Sequence, residues 1–164
     1  MLFSVLIPTY NNEATIERAV KSALNQDYTE EYEVIVANNA STDRTADVLG
    51  SINNPKLKVI TNSHTVSMYE NHNVLLHEAK GDYVLFCHSD DQLCSNALSI
   101  LADELNKRLY PNKFIIWGHS MIRDFSRYSN IPINQMFSGE IAKRVFVQSG
   151  LTPSGTCFSR ESMV

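Results

Sequence analysis

Along the first two thirds of the chain, short apolar runs alternate with longer segments whose apolar residues recur every three or four positions. Residues 3–7, Phe-Ser-Val-Leu-Ile, read as a buried strand. Ile16, Ala19, Val20, Ala23 and Leu24 then form a stripe at helical spacing, with Asn11 or Asn12 placed to cap the helix. Residues 32–37 read as a second strand. A short helix follows, capped by Ser41 or Thr42, with Asp43 in its first turn. Residues 57–60 read as a third strand. The next helix spans about 67–79, with Gly81 suited to its C′ position. Residues 83–87 make a fourth strand. A helix over 97–109 carries Leu98, Leu101, Ala102 and Leu105 on one face and stops at Pro111. Residues 114–117 read as a fifth strand.

This alternation predicts an α/β domain with a mostly parallel central sheet and helices on both faces. In such sheets ligands bind outside the carboxyl ends of the strands. Four loops therefore matter most: 8–13, 38–43, 62–67 and 88–93. Beyond about Asp124 the pattern fades. A short helix over 141–147 and a strand over 156–159 are the readable elements there, and the chain stops at Val164 in mid-pattern. The expected division is a core over 1–124 and, over 125–164, the start of a further region that continues past this chain.

Composition narrows the classes. The chain has 164 residues, 43% hydrophobic and 20% charged, which suits one globular domain with a real core. A formal net charge of -4 argues against nucleic acid as a partner, because phosphate backbones need a basic surface. An anionic nucleotide would need local help from backbone amides or a cation. The three cysteines, Cys87, Cys94 and Cys157, have no CxxC spacing and read as small apolar side chains in a reducing compartment. No run is long and apolar enough to cross a membrane, and residues 1–7 lack the basic leader of a secretory signal.

Three of the loops carry candidate chemistry. In Pro8-Thr9-Tyr10-Asn11-Asn12-Glu13, Pro8 fixes φ and ends the strand. Thr9 and the helix N-terminus offer a hydroxyl and free amides, and Tyr10 offers a ring for a flat ligand. The same residues also read as a strand end and a helix cap. Asn38 and Asn39 leave the second strand into the cleft. Their amides suit a base edge, and equally a turn. In His88-Ser89-Asp90-Asp91, adjacent carboxylates repel one another, and a hard cation such as Mg²⁺ or Mn²⁺ on a diphosphate would offset that. One acid would suffice for a helix cap, so the pair favours the metal. His88 reads as a loop or packing residue.

Taken together, the chain resembles family 2 glycosyltransferases of the GT-A fold. The resemblance runs from about Phe3 to Trp117. It rests on the order of five pieces: Val5-Leu6-Ile7-Pro8-Thr9-Tyr10-Asn11; Ala23-Leu24-Asn25-Gln26-Asp27-Tyr28; Glu33-Val34-Ile35-Val36 with Ser41-Thr42-Asp43; Ala79-Lys80-Gly81-Asp82-Tyr83-Val84; and Ser89-Asp90-Asp91. The resemblance implies that Pro8, Thr9, Tyr10 and Glu13 belong to a nucleotide-contacting loop. It places Asn39 where the family's base-binding aspartate stands. Asp90 and Asp91 match the metal-binding DXD element, Asp91 on the ion and Asp90 toward the ribose or metal-bound water. It implies a nucleoside diphosphate sugar donor, UDP-sugar favoured, Mn²⁺ or Mg²⁺ as cofactor, and transfer with inversion to a hydroxyl of a saccharide, lipid-linked or other acceptor. It further implies a role in polysaccharide biosynthesis and a cytoplasmic place, peripheral at the inner face of the membrane.

Two departures stand out. Asn38 and Asn39 replace the family's usual aspartates, and Asn39 keeps an acceptor oxygen but no charge. No convincing counterpart of the family's acidic general base precedes Val164, so the catalytic residue is unassigned. Two other classes compete. A sugar-phosphate nucleotidyltransferase would need a glycine-rich basic loop after the first strand, which Pro8-Thr9-Tyr10-Asn11 is not. A non-catalytic nucleotide-sugar-binding module would differ only in lacking the base.

Overall fold

A computed structural model describes residues 1–107, 115–117 and 156–160. The elements follow the expected alternation: β1 (Phe3–Thr9), α1 (Ile16–Leu24), β2 (Tyr32–Asn38), α2 (Thr45–Gly50), β3 (Leu57–Thr61), α3 (Met68–Glu78), β4 (Tyr83–Phe86), α4 (Ala97–Lys107), β5 (Ile115–Trp117) and β6 (Thr156–Ser159). The helix expected at 141–147 and the boundary expected at 124 lie outside the described residues.

The strands form one six-stranded sheet in the order β3-β2-β1-β4-β6-β5. β1 to β4 are mutually parallel, and β6 runs antiparallel between β4 and β5. The strand at 156–159 thus completes the same sheet as the first five. β1, β2 and β4 are almost wholly buried, which explains their unbroken apolar runs. β3 at the edge is partly exposed and carries Lys58 between its apolar residues.

Two cores sandwich the sheet. Phe3, Val5 and Ile7 of β1 meet Ile16 and Val20 of α1, Leu49 of α2, and Leu98, Leu101 and Leu105 of α4 on one face. Leu6, Ile35 and Phe86 meet Leu75 of α3 on the other. The α/β architecture with helices on both faces is therefore present.

Local chemistry departs from the sequence reading at several helix ends. Thr15, not Asn11 or Asn12, occupies the N-cap of α1 and makes no side-chain cap bond. Asn11 and Asn12 instead spend their amides on other loops: Asn11 Oδ1 accepts from Thr42 N–H at 2.8 Å, and Asn12 Nδ2 donates to Ser89 Oγ at 2.8 Å. α2 starts later than Ser41 or Thr42 suggest, with Arg44 at its N-cap. Asp43 precedes the helix, and its Oδ1 accepts from Thr45 N–H at 2.9 Å. At α3, Ser67 and Glu70 form a reciprocal capping box, which fixes the start where the spacing placed it.

Gly81 is not the C′ residue of α3. The helix ends at Glu78 and Ala79 is already extended, two residues before it. Gly81 is needed for another reason. A Cβ there would lie 2.5 Å from Ser4 N and 2.8 Å from Tyr83 O. Only a bare backbone lets the chain enter β4 this close to β1.

Pro8 also differs from its expected role, since β1 continues through Thr9, paired with β2 to Asn38. What ends is the ladder to β4. Cys87 N–H donates to Leu6 O at 3.0 Å, and the next donor on that side would be the N–H that proline lacks. β4 is thereby released into the loop that starts at His88.

Candidate functional site

Chain order places β2 on one side of β1 and β4 on the other, which makes the carboxyl end of β1 the topological switch point. The loops after β1, β2 and β4 meet there, and long-range hydrogen bonds hold them. Asn12 is the hinge pin: its N–H donates to Thr45 Oγ1 at 2.9 Å, and its Nδ2 to Tyr10 O at 3.1 Å and to Ser89 Oγ at 2.8 Å. Asn11 takes a left-handed φ of 52°, which asparagine tolerates, and its N–H donates to Ser41 Oγ.

The acidic loop is anchored on its other side by α1. Arg18 Nη2 donates to Asp90 O at 3.0 Å, and Leu93 N–H to Ser22 Oγ at 3.0 Å. Gln26 takes both roles of its amide, donating to Cys94 O at 2.9 Å and accepting from Leu98 N–H at 3.1 Å. Gln26 and Asp27, whose N–H donates to Ser95 O at 2.8 Å, thus clamp the segment between the acidic pair and α4.

Within that loop, ligand atoms of His88, Asp90 and Asp91 all lie within 4.8 Å of one another. Asp90 and Asp91 are exposed and His88 is half-buried. The His88 ring meets the His72 ring edge-on, with centroids 5.9 Å apart. Burial, then the nearby His72, hold His88 below the ordinary histidine range, against the opposing pull of Asp91 and Asp90. The imidazole is therefore neutral at neutral pH, the form that ligates metals. From the sequence His88 reads as a loop or packing residue. It packs, and it also faces the acids. The same acids add to the burial that pushes the Cys87 thiol up to about 12. The two carboxylates suit Mn²⁺ or Mg²⁺, while an imidazole suits a softer divalent ion than Mg²⁺.

The other predicted residues divide. Tyr10 is 46% exposed, so its ring is available at the cleft. Pro8 is half-buried beside it. The hydroxyl of Thr9 is fully buried and has no hydrogen-bond partner among the described residues, while its carbonyl accepts from Asn39 N–H at 2.9 Å. Thr9 shapes the loop through its backbone. Glu13 Oε2 accepts from Arg44 N–H at 2.8 Å, and Glu13 N–H donates to Asp43 Oδ2 at 3.0 Å. That reciprocal clamp joins the first loop to the start of α2. Asn38 is buried and its Oδ1 accepts from Ser41 N–H at 3.1 Å, closing a turn in which Ala40 has φ 53°. Asn39 is only 6% exposed and its amide is tied to Val66 and Asn62.

Comparison with known proteins gives the family and the fold. The model of the family described as "Glycosyl transferase family 2" matches residues 4–163. The chain belongs to glycosyl transferase family 2. Its sheet is accordingly the GT-A sheet. A Campylobacter jejuni GalNAc(5)-diNAcBac-PP-undecaprenol beta-1,3-glucosyltransferase is 35% identical over 129 residues, which cover 75% of this chain and 41% of that protein. The Escherichia coli UDP-Glc:alpha-D-GlcNAc-diphosphoundecaprenol beta-1,3-glucosyltransferase WfgD is 28% identical over 82% of this chain and 54% of its own length. The crystal structure of Staphylococcus aureus TarS 1–349 in complex with UDP superposes with a TM-score of 0.65 at 32% identity, covering 71% of this chain and 35% of that one. The chain spans about half or less of the length of these relatives.

Proposed function

We propose that this glycosyltransferase domain holds a nucleoside diphosphate sugar, a UDP-sugar in the first instance, with one divalent ion at the carboxyl end of β4. The transfer it serves inverts the anomeric centre. The observation that carries the reading is the convergence of His88, Asp90 and Asp91 in the loop that Asn12 ties to Tyr10 O through Ser89 Oγ at the switch point. The UDP complex of the similar S. aureus structure supports uridine as the base. A structure of a Pyrobaculum calidifontis mannosyltransferase with GDP-Man and Mn²⁺ shares the fold, at 24% identity and a TM-score of 0.65.

Asp91 and Asp90, with His88 beside them, would hold the ion. When bound, the ion supplies positive charge against the leaving diphosphate. The chain's own residues have three tasks. Tyr10 offers its ring to the base or ribose. Asn12 and Arg18 fix the acidic loop in place through Ser89 Oγ and Asp90 O. The loop backbone ties the neighbouring loop, its Asn11, Asn12 and Glu13 N–H groups donating to Ser41 Oγ, Thr45 Oγ1 and Asp43 Oδ2, so with a net charge of -4 it is the ion that would draw the diphosphate. Inversion requires an acceptor hydroxyl approaching opposite the diphosphate and a base for its proton. We assign no residue to that base. The core over 1–124 binds donor in this reading, and the later segment begins the acceptor side.

The undecaprenyl-linked substrates in the names of two relatives support a lipid-linked saccharide as acceptor and a role in polysaccharide assembly at a membrane surface. No described helix is long and apolar enough to cross a membrane. The unbridged cysteines fit a place on the reducing, cytoplasmic side. Saturation-transfer NMR with UDP-glucose and Mg²⁺ tests the donor reading. Transfer to the uridine protons is expected, and it should vanish when Asp90 and Asp91 are both changed to Asn. Absence of any transfer to UDP-glucose in the parent would contradict it.

A further inference from the structure

The end of β2 carries a chain of three asparagines whose hydrogen bonds leave no freedom of orientation. A primary amide has two N–H donors and an oxygen with two lone pairs. Asn39 Oδ1 accepts from the backbone N–H of Val66 at 2.9 Å and from Asn62 Nδ2 at 3.0 Å. Asn39 Nδ2 donates to the backbone carbonyl of Val66 at 2.9 Å. Asn62 Nδ2 also donates to Asn71 Oδ1 at 2.9 Å, and Asn71 Nδ2 donates to Ala37 O at 3.2 Å.

Amide flips are usually a matter of assignment, but not here. A backbone N–H can only donate and a backbone carbonyl can only accept. Val66 supplies one of each to Asn39, so the oxygen and the nitrogen of that amide are fixed. Ala37 O fixes Asn71 in the same way, and Asn71 in turn fixes Asn62. The bookkeeping is then complete. Both lone pairs of Asn39 Oδ1 are occupied. One N–H of Asn39 Nδ2 is engaged, and one remains.

We propose that Asn39 offers the base an N–H donor and not an oxygen acceptor, so the site meets a pyrimidine at a ring acceptor, such as a carbonyl oxygen, rather than at the N3–H of uracil. This rests on the nucleotide reading above and reverses the role expected of an acceptor at this position. Asn62 and Asn71 are positioning residues: they touch no base in this account but hold the Asn39 oxygen occupied. The exchange of aspartate for asparagine at residue 39 then has a local cause. An aspartate would set a carboxylate oxygen against the Val66 carbonyl, where Asn39 Nδ2 now sits at 2.9 Å. A pocket that reads a ring acceptor has little ground to prefer uracil over cytosine, since both carry O2 and cytosine adds an acceptor at N3.

Two measurements test this. Calorimetry with UDP and with CDP, each with Mn²⁺, should give dissociation constants within about threefold of one another, or tighter for CDP. That ratio is far below the discrimination of a contact to a base-specific N–H, for which 1.4 kcal/mol corresponds to tenfold. A larger preference for UDP would overturn the proposal. The second measurement needs no nucleotide. In Asn39→Asp, two facing oxygens favour the protonated acid, so the folded carboxyl is raised above its unfolded value. Its contribution is then present in acid and lost as pH rises through the raised value. The variant should melt about 3–10 °C below the parent at pH 8 and approach it as pH falls to 5. Melting equal to the parent at pH 8 would show that the amide is not locked, and would also overturn the proposal. If neither nucleotide binds while the melting result holds, the lock stands and the nucleotide reading is what fails.

Discussion

Replacing Gly81 by alanine adds one methyl group at the point where the chain enters β4. The new Cβ would stand 2.5 Å from Ser4 N, 2.7 Å from Ser4 Oγ and 2.8 Å from Tyr83 O. Carbon atoms rest at about 3.5–4.0 Å from such neighbours, so about 1 Å must open between β1 and the 81–83 turn. Rotating Ser4 away does not relieve it, because the nearest atom is backbone. Ser4 is also committed: its Oγ accepts from Gly81 N–H at 2.8 Å and donates to Glu33 Oε1 at 2.6 Å. Overpacking costs about 1–3 kcal/mol, and a strained or lost hydrogen bond adds about 1 kcal/mol. The smaller entropy of an unfolded alanine returns about 0.4–1 kcal/mol. The net loss is about 1–3 kcal/mol, or about 2–12 °C in melting temperature for a chain of this size. Thermal melting followed by circular dichroism reads it directly. Gly50→Ala is the control, since a Cβ there meets nothing within 4 Å. If Gly81→Ala melts within 1 °C of the parent while Gly50→Ala behaves as expected, the close-approach account of Gly81 is wrong.

Two further perturbations follow from the geometry. Ser67→Ala removes the hydroxyl of the α3 capping box and should cost about 0.5–2 kcal/mol near neutral pH, read by chemical denaturation. Hydrogen bonds from Ser67 hold Glu70 below the usual carboxylate range, so the box is intact above the free glutamate pKa and lost as pH falls through the depressed value; the Ser67→Ala deficit should shrink in acid. Cys87 and Cys157 are buried, with thiols pushed up to about 12, while Cys94 is exposed; Ellman titration of the native chain at pH 8 should therefore count one thiol, and three after denaturation.

Strands and amphipathic helices were legible because burial on both faces leaves unbroken apolar runs such as Val34-Ile35-Val36, and burial on one face leaves stripes such as Leu98, Leu101 and Leu105. The start of α3 near Ser67 was legible from the helical pattern, and the capping box that fixes it joins Ser67 to Glu70, three residues on. Asn11 and Asn12 were misplaced as caps because their amides reach Thr42 and Ser89, about 30 residues away in sequence or beyond, whereas Asp43, expected in the first turn of α2, precedes that helix and accepts from Thr45 N–H. Gly81 carried a helix-end signal, but its need arises from Ser4 across the sheet. The acidic pair stood out by its position after an apolar strand, whereas His88 joined it only through loop geometry. The asparagine chain from residue 39 to residue 71 had no spacing signal at all. A preference for asparagine over aspartate at residue 39 could have pointed to a carbonyl partner, and only the fold names Val66 as that partner.

The central claim is that the carboxyl end of β4 holds a divalent ion on a nucleoside diphosphate. Titration calorimetry of UDP into the parent and into Asp91→Ala, each with Mn²⁺ and with chelator, tests it most directly. Asp91 is exposed, so the variant should fold as the parent does. The parent should bind UDP with Mn²⁺ and much more weakly with chelator. Asp91→Ala should lose that metal dependence, because water replaces an anionic oxygen ligand poorly. Binding of Mn²⁺–UDP by Asp91→Ala as tight as the parent's would contradict the account.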